Sequence, residues 1–488
     1  MFTTVVMKEL KGILLSQKFT LTFGVVSILI LMSIVAGISE YAAGARQYDT
    51  AVQLAEQELR EASSWMSINA RALRPPDPLL VFVSGIHNDI GRFSEISGRE
   101  TVKLLHSVYA DDPIFAVFRS LDLMFIVQVV LSLFAILFTY DAITGERESG
   151  TLQLSLANPL PRRTYILAKT VGIWAGLLLS LSVPIILGLL VVSLAGVPLS
   201  ASDWLRVGAL LVGSLLYFTV WVTAGVAIST WTRTPSTSFM AGLVLWICAV
   251  LILPRLGVLA AEQMIGVPTV AEVDAQKDGY EKSAWEKQMA AMGDRWKKRE
   301  EAMQGFSKEQ REAFRDEHMW QWMQEEDAGR KKVQAEIDAY GLRLQEDVRN
   351  KRTVRERLAF TLARTSPAAV FELAAMEVAR TSVGLKNTTE SSMEEYRKVF
   401  TAHVDRKQQE SGGTGGFRIT VDSEKGFSFS APRERGTLDI SDLPRYQTHP
   451  ATAGPLIAEA GWDGLLLCIF AFASLALSVI GFHRYDVR

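Results

Sequence analysis

Several residue patterns that mark enzymes are absent from this chain. Its 488 residues contain two cysteines, Cys248 and Cys468, and both lie inside apolar runs, which favours small buried side chains over a disulfide. No Gly-x-x-x-x-Gly-Lys-Ser/Thr phosphate loop occurs, so the chain is not an ATPase by that route. The six histidines show no metal-ligand spacing such as His-x-x-x-His. We therefore expect no catalytic residue, no metal site and no cofactor-binding residue.

Charged residues are also missing from the middle of the apolar runs. Asp122, Arg206 and Asp463 lie at the ends of such runs. Ion-coupled transporters carry ionisable groups at bilayer depth, where these groups bind the coupling ion or relay protons. The absence of ionisable groups from the middle of the apolar runs favours a transporter that is driven mechanically by a component outside the membrane. The formal net charge is −2, so nothing favours binding to nucleic acid.

What the chain has in abundance is long apolar runs separated by very polar stretches. Hydrophobic residues make up 49% of the sequence, and 21% of the residues are charged. Runs of about 20 apolar residues can cross the hydrocarbon core of a bilayer as helices. Six such runs predict six transmembrane helices, at residues 19–39, 121–140, 166–195, 205–229, 238–256 and 462–482. We therefore expect a mainly α-helical, multi-pass membrane protein.

The lysines and arginines of the short loops predict the orientation of these helices. Positive charges accumulate in loops on the cytoplasmic side of a membrane. The basic residues that share one side are Lys8, Lys11, Lys18, Arg147, Arg162, Arg163, Lys169, Arg233, Arg484 and Arg488. Arg206, beside the loop between the third and fourth spans, is the one exception. We expect an inner-membrane protein with both termini in the cytoplasm. Segments 1–18, 141–165 and 483–488 are then cytoplasmic, and 40–119 and 257–461 are extracytoplasmic.

The larger polar region, 257–461, carries signals of helices and of one small β element. Ser307 and Gln310 fit a capping box that starts a helix after Gly305. Two apolar stripes around this glycine predict a long, coiled-coil-like helical hairpin: Trp285, Met289, Met292 and Trp296 before it, and Val333, Ile337, Tyr340, Leu344 and Val348 after it. Ser366-Pro367 begins a further helix. Alternation between Phe417 and Phe429, across Ser423–Gly426, predicts a β-hairpin.

The tryptophan and methionine stripe has two interpretations. It can be a packed seam between two helices. It can also be an adaptable surface that grips an apolar or peptide substrate, because methionine adapts its shape. The sequence does not decide between the two.

In the smaller polar region, a proline-rich turn at Pro75, Pro76 and Pro78 stops the helix that continues from the first span. The apolar residues 79–83 then favour a short strand. The rest of this region, up to residue 113, fits neither pattern alone.

A short charged segment between the second and third spans is the most informative part of the sequence. A permease without its own ATPase must receive force through a rigid projection, and a short polar helix that docks in a cleft of the motor would serve. Gly150 would allow a bend or a close approach. Leu152, Leu154 and Leu156 would offer apolar contacts, and Pro159 and Pro161 would end the projection. From the chemistry alone, a solvated amphipathic loop fits equally well.

The same segment resembles the coupling segment of type-2 ATP-binding-cassette (ABC) export permeases. The resemblance rests on Glu146-Arg147-Glu148-Ser149-Gly150-Thr151-Leu152, the following prolines, the Arg162-Arg163 pair and Lys169. The start, with Lys8-Glu9-Leu10 and Lys18-Phe19, is similar to the interfacial elbow helix of this family. The large insert at 257–461 resembles a subgroup with enlarged extracytoplasmic domains. Permeases of gliding motility and of nitrous-oxide-reductase maturation are distantly similar.

The resemblance implies a permease subunit that exports or mechanically handles a substrate at the cell envelope. Two ABC ATPase subunits would hold the ATP and Mg²⁺, and a second copy of the chain or a sister permease would complete the path. Membrane lipid would surround it, and an envelope or periplasmic partner could bind outside. The residues implied in ATPase coupling are Glu146, Arg147, Glu148, Gly150, Thr151, Leu152, Arg162 and Arg163. Two rivals are a membrane-anchored assembly or sensing protein that moves no solute, and a passive channel.

Overall fold

The computed structural model describes residues 2–62, 65, 68–87, 90–96, 122–157, 161–410, 418–422, 426–430, 438–448 and 452–484. The α-helices are α1 (Phe2–Leu14), α2 (Gln17–Glu61), α3 (Leu123–Phe125), α4 (Ser132–Thr139), α5 (Thr144–Glu148), α6 (Thr151–Leu156), α7 (Arg162–Leu194), α8 (Ala201–Trp231), α9 (Pro235–Trp246), α10 (Leu253–Met264), α11 (Val270–Ala302), α12 (Lys308–Ala363), α13 (Pro367–Val378), α14 (Gly384–Glu410) and α15 (Ala453–His483). One π-helical turn joins α3 to α4 (Ile126–Leu131), and another joins α9 to α10 (Ile247–Ile252). Two antiparallel strand pairs complete the list: β1 (Ala70–Leu73) with β2 (Phe93–Ile96), and β3 (Arg418–Asp422) with β4 (Gly426–Ser430).

Six helical stretches among the described residues are long and apolar enough to cross a bilayer. They are Gln17–Glu61, Leu123–Glu148, Arg162–Leu194, Ala201–Trp231, Pro235–Met264 and Ala453–His483. This confirms the predicted fold class, a mainly helical protein with six membrane-spanning helices. The helices run beyond the apolar runs because polar residues continue the same hydrogen-bonded spiral outside the hydrocarbon. Leu121, where the second predicted span begins, lies outside the described residues.

Contacts divide the chain into two compact units, Met1–Leu256 with Ala363–Arg488, and Gly257–Leu362. In the first unit, α1 packs on the start of α7. The contact is close because α7 presents glycine there: a Cβ atom added at Gly172 would lie 2.8 Å from the Glu9 Cβ. This packing places the charged side of α1 beside the beginning of the third span.

The predicted helix after Ser366 begins where expected and packs against candidate span helices of the first unit. Ser366 Oγ accepts hydrogen bonds from Ala368 N (3.1 Å) and Ala369 N (3.4 Å), with proline at the first helical position. The resulting helix α13 packs against α8 and α15, and Phe371 stacks on Tyr217 in the middle of α8 at 4.8 Å between ring centroids. The sequence assigns this segment to the polar region 257–461, and its position relative to the membrane stays a prediction. Ten of its twelve residues are buried, and so apolar a helix is stable where other apolar helices cover it.

The polar region before the second span and the part of the larger polar region that follows α13 contribute to one shared core. Its buried residues come from the first region, from α14 and from the loop near residue 443; they are Trp65, Ile68, Ala70, Ala72, Ile96, Met393, Phe400, Val404 and Leu443. The strand pair β1–β2 forms one face of this core. The residues predicted as a short strand at 79–83 instead begin with a 3-10 helix, Pro78–Val81, because Asp77 caps it through a 3.0 Å bond from Leu79 N. The predicted β-hairpin between Phe417 and Phe429 is present as β3–β4, although Phe417 and residues 423–425 of its turn lie outside the described residues.

Ionisable groups at the ends of the spans are satisfied within the first unit. Asp122 accepts hydrogen bonds from Ser84 N (2.7 Å) and Phe125 N (2.9 Å), and Asp463 pairs with Arg364 at 2.6 Å. Arg206, which broke the one-sided pattern of basic residues, is 1% exposed and paired with two aspartates. A buried, neutralised arginine exposes no charge in a loop, which explains why it does not follow the orientation rule.

The second unit contains the helical hairpin formed by α11 and α12. The predicted capping box is present, since Ser307 N donates to Gln310 Oε1 (3.0 Å) and Gln310 N donates to Ser307 Oγ (3.3 Å). The sequence predicts that the stripe at residues 333–348 packs against the stripe at residues 285–296, and the ring contacts in the structure differ from this pairing. Tyr340 stacks on Tyr280 at 4.0 Å, and Trp296 lies against Trp322 at 5.9 Å. Residues that meet in an antiparallel hairpin lie at similar distances from its turn, and Val333 is too far from the turn to face Trp296.

Candidate functional site

The charged segment after the second span folds as two short helices joined by a sharp turn. Helix α5 ends at Glu148, and Gly150 then adopts φ = 73°, the left-handed region in which glycine is unstrained. Helix α6 follows from Thr151 to Leu156. A Cβ atom added at Gly150 would meet nothing within 4 Å. Of the two roles considered for this glycine, the structure shows the bend, and a close approach to a motor protein stays a prediction.

Glu146 is held at the centre of a polar cluster inside the protein. Its Oε1 atom lies 2.8 Å from Lys8 Nζ and 3.0 Å from Lys169 Nζ. The hydroxyl of Tyr165 donates to its other oxygen. Lys169 also binds Glu9 at 2.8 Å, and its side chain is 3% exposed. We refer to Glu9, Glu146 and Lys169 as the buried triad; it ties α1, α5 and α7 together.

Lys8 covers this triad from the outside. Burial acts to lower the pKa of its ammonium group, but the hydrogen bond and the charge of Glu146, together with Glu9, raise that pKa above its ordinary value. Its side chain is 59% exposed, so the Lys8 ion pair is screened by water, whereas the Lys169 pairs are not.

Further contacts anchor the segment to the neighbouring spans. Ser229 Oγ, on α8, accepts hydrogen bonds from the backbone N–H groups of Ile143 (3.0 Å) and Thr144 (3.2 Å). Arg147 donates to Thr232 O at 3.0 Å, just after α8. Leu152 is completely buried. Arg162 donates to His483 O at 3.0 Å, at the end of α15. The segment is therefore bonded to α1, α7, α8 and α15. A displacement of the segment would be transmitted to all four helices.

The eight predicted coupling residues thus separate into two groups. Glu146, Arg147, Leu152 and Arg162 hold the segment in place. Glu148, Gly150, Thr151 and Arg163 are exposed. Leu154, which the sequence suggested as an apolar contact, is 72% exposed between them. We call Glu148, Ser149, Gly150, Thr151 and Leu154 the exposed ridge. Pro159 lies outside the described residues.

Sequence reasoning missed the partners that hold the segment. Glu9 and Lys169 were noticed only as parts of a resemblance, and Tyr165 and Ser229 carried no signal. It also missed Glu372, which lies on α13 and is 4% exposed. The side chain of Glu372 accepts a hydrogen bond from Gln128 Nε2 at 2.8 Å, among the helices of the bundle. An acidic residue was not expected there, because α13 was assigned to the polar region.

No group of histidine, cysteine, aspartate or glutamate side chains within the described part of the chain could hold a metal ion.

Comparison with known proteins agrees with this geometry. A family model described as "ABC-2 family transporter protein" matches residues 3–289, which is more than half of the chain. The chain is also similar to a protein of Stutzerimonas stutzeri described as "Probable ABC transporter permease protein NosY", with 35% identity over 127 residues. That alignment covers 25% of this chain and 45% of the relative, so it spans less than half of the relative's length.

Proposed function

The chain belongs to the ABC-2 family of transporter proteins, and from that premise we propose that it is the membrane permease subunit of an ATP-driven ABC exporter. The observation that carries the proposal is the exposed ridge. Its polar side chains and Leu154, 72% exposed, stand on a base that is bonded to four membrane-associated helices. A motor protein that docks on the exposed ridge can transmit force through this base to the four helices.

The ATPase is a separate polypeptide in this proposal, and ATP and Mg²⁺ bind to it. Closure of the ATPase pair on ATP presses on the exposed ridge. The buried triad transmits that movement to α1 and α7, because each of its ion pairs joins a different element. The bonds from Ile143 and Thr144 to Ser229 transmit it to α8. The span helices then move as one body with the segment.

Six spans form half of a transport path, so the chain pairs with a second copy or with a sister permease. The exposed ridge and both termini face the cytoplasm, and the protein lies in the inner membrane. The hairpin α11–α12 and the core around Phe400 then face the outside, where they handle a substrate or contact an envelope partner. The one-sided distribution of basic residues supports this orientation.

The test separates the exposed ridge from the base that holds it. Glu148→Lys combined with Leu154→Asp changes exposed side chains only, so the protein should insert and fold normally. Co-purification of ATPase activity with the tagged protein from native membranes should fall by about tenfold or more, because charge reversal and loss of an apolar contact both weaken docking.

Ser236→Lys is the matched control, since Ser236 is exposed in the first turn of α9 and the substitution adds one positive charge, which is the net change of the double variant. It should retain the ATPase. Full ATPase retention by the double variant, or equal loss in the control, would contradict the assignment of the exposed ridge.

A further inference from the structure

A polar cavity of about 480 Å³ lies in the first unit, away from the coupling segment. It is bounded by the proline-rich turn Arg74–Pro78, by the start of α8, by Arg380 after α13 and by one side of α14. The volume is in the range of small-molecule sites. Its charged lining consists of Arg74, Arg206, Arg380, Asp77 and Asp203.

The two aspartates are fully occupied by groups of the protein. Arg206 binds Asp203 Oδ1 at 2.8 Å and both oxygens of Asp77 at 3.2 Å. Asp203 Oδ2 also accepts from Ser200 N and Ser200 Oγ, and Asp77 Oδ1 accepts from Leu79 N. The remaining nitrogen of Arg206 donates to Val378 O at 2.8 Å. These carboxylates therefore belong to one arginine and to two helix caps.

Arg74 is placed differently, because it is buried and no carboxylate of the described residues bonds to it. It is 7% exposed, and within the described part of the chain its hydrogen bonds go to His87, at 3.0 Å to Nδ1 and 3.3 Å to the carbonyl oxygen. Its Nε atom is buried and has no acceptor among the described residues. Burial, together with repulsion from Arg92 and Arg380, lowers the pKa of Arg74 to about 10. The wall of the cavity thus contains a buried cation next to further positive charges.

The backbone at Arg380 supports a role for its side chain. Arg380, two residues after the last residue of α13, has φ = 58°, and glycine is usual at this position because other residues are strained there. Thr381 N donates to Met376 O at 2.8 Å and Arg380 N donates to Glu377 O at 3.0 Å, which is the hydrogen-bond pattern of a glycine-type helix end. An arginine in this place lines the cavity at a conformational cost.

We propose that this cavity binds an anionic group, a phosphate or a carboxylate, between Arg74 and Arg380. Hydroxyl groups of Thr388, Ser392 and Tyr446 line the same cavity and provide neutral donors for the remaining oxygens of such a group. The source of the anion is a soluble solute or the headgroup of an anionic phospholipid. The proposal rests on the cavity alone and does not depend on the ATPase.

The experiment uses the full-length protein in lipid nanodiscs and follows the midpoint of thermal unfolding, since a ligand that binds the folded state raises it. In one arm, inorganic phosphate is titrated into nanodiscs of phosphatidylcholine, against sodium chloride at equal ionic strength. In the other arm, phosphatidylglycerol replaces part of the phosphatidylcholine and no phosphate is added. A rise in the first arm identifies a soluble anion, and a rise in the second arm alone identifies a lipid headgroup.

Two variants and one control assign the effect to the cavity. Ser392→Glu places a carboxylate inside it, whereas Ser391→Glu adds the same charge one residue earlier on α14, outside its lining. Arg380→Asn removes a cation, and asparagine tolerates the left-handed backbone. We expect Ser392→Glu and Arg380→Asn to weaken binding by about tenfold or more, the value of one charged hydrogen bond. Ser391→Glu should bind within about twofold of the parent.

Arg380→Asn should also keep the helical content of the parent without ligand, as circular dichroism measures it, which separates lost binding from lost folding. No rise in either arm would overturn the proposal. Equal weakening by Ser391→Glu and Ser392→Glu would also overturn it, because the effect would then reflect general charge on α14.

Discussion

Replacing Lys169 with methionine should release the coupling segment from the helices that hold it. Methionine retains the length and the apolar character of the side chain, so the change removes the charge and the hydrogen bonds but leaves the packing. Lys169 binds Glu9 at 2.8 Å and Glu146 at 3.0 Å with 3% of its side chain exposed. Without Lys169, the carboxylates of Glu9 and Glu146, whose side chains are 15% and 14% exposed, lose the cation that they share.

The magnitude follows from this burial. Removal of one partner from a buried ion pair costs about 3–5 kcal/mol. Lys8→Met is the matched control, because Lys8 binds the same Glu146 oxygen at 2.8 Å but is 59% exposed. An exposed ion pair contributes about 1 kcal/mol or less. One factor of ten in a population corresponds to about 1.4 kcal/mol. The open form of the segment should therefore increase by about a hundredfold or more in Lys169→Met, and by about fivefold at most in Lys8→Met.

Limited proteolysis measures this population directly. When opening and closing are fast, the cleavage rate is proportional to the fraction of open molecules. Trypsin cleavage after Arg147, which is bonded to Thr232 in the closed segment, should accelerate by these factors, while cleavage in the α11–α12 hairpin stays constant. Equal acceleration in the two variants, or none in Lys169→Met, would show that the buried triad does not hold the segment.

Three further predictions concern other parts of the chain. Ile337→Asp, at a position 2% exposed, should cost about 3–5 kcal/mol and make the hairpin protease-sensitive, whereas Leu342→Asp, at a position 59% exposed, should not; equal sensitivity would contradict the helix seam. Glu372→Leu should lower the thermal midpoint more than Glu372→Gln, because only leucine removes the 2.8 Å acceptor of the buried Gln128 amide and leaves it the longer 3.4 Å bond to Ala368 O, a loss of about 1–3 kcal/mol. Burial and two neighbouring arginines hold the pKa of His87 well below its ordinary value, so the unfolded state binds a proton that the folded state does not, and stability falls as the pH drops below about 6.5. Between pH 6 and pH 5 the parent should lose about 1 kcal/mol more than His87→Gln in denaturant unfolding, and identical pH profiles would refute this.

The parts of the fold that depend on local composition could be predicted from the sequence. A membrane span needs only length and apolarity, and the caps at Ser307 and Ser366 need only nearby residues. The position of helix α13 against α8 and α15 could not be predicted, because a twelve-residue apolar helix is too short to be recognised as a span. Its location depends on the distant helices that cover it.

The candidate site was predicted in part for the same reason. The sequence drew attention to the charged segment, but it did not distinguish Glu146, which is held inside, from Glu148, which is exposed. The difference arises from Lys169 and Glu9, which are 160 residues apart in the chain and come together only through packing of α1 on α7. The register of the hairpin was wrong because side-chain periodicity gives the face of a helix but not its position along the partner.

The central claim is that the exposed ridge docks on an ABC ATPase in the cytoplasm. A photoreactive amino acid placed at Leu154, and separately at Leu342 on the hairpin, tests it in living cells, since both side chains are exposed at 72% and 59%. After illumination, mass spectrometry identifies the covalent partners. The account predicts that Leu154 captures a polypeptide that contains a phosphate loop and that Leu342 does not. Capture of that ATPase from Leu342, or only lipid from Leu154, would contradict both the function and the orientation proposed.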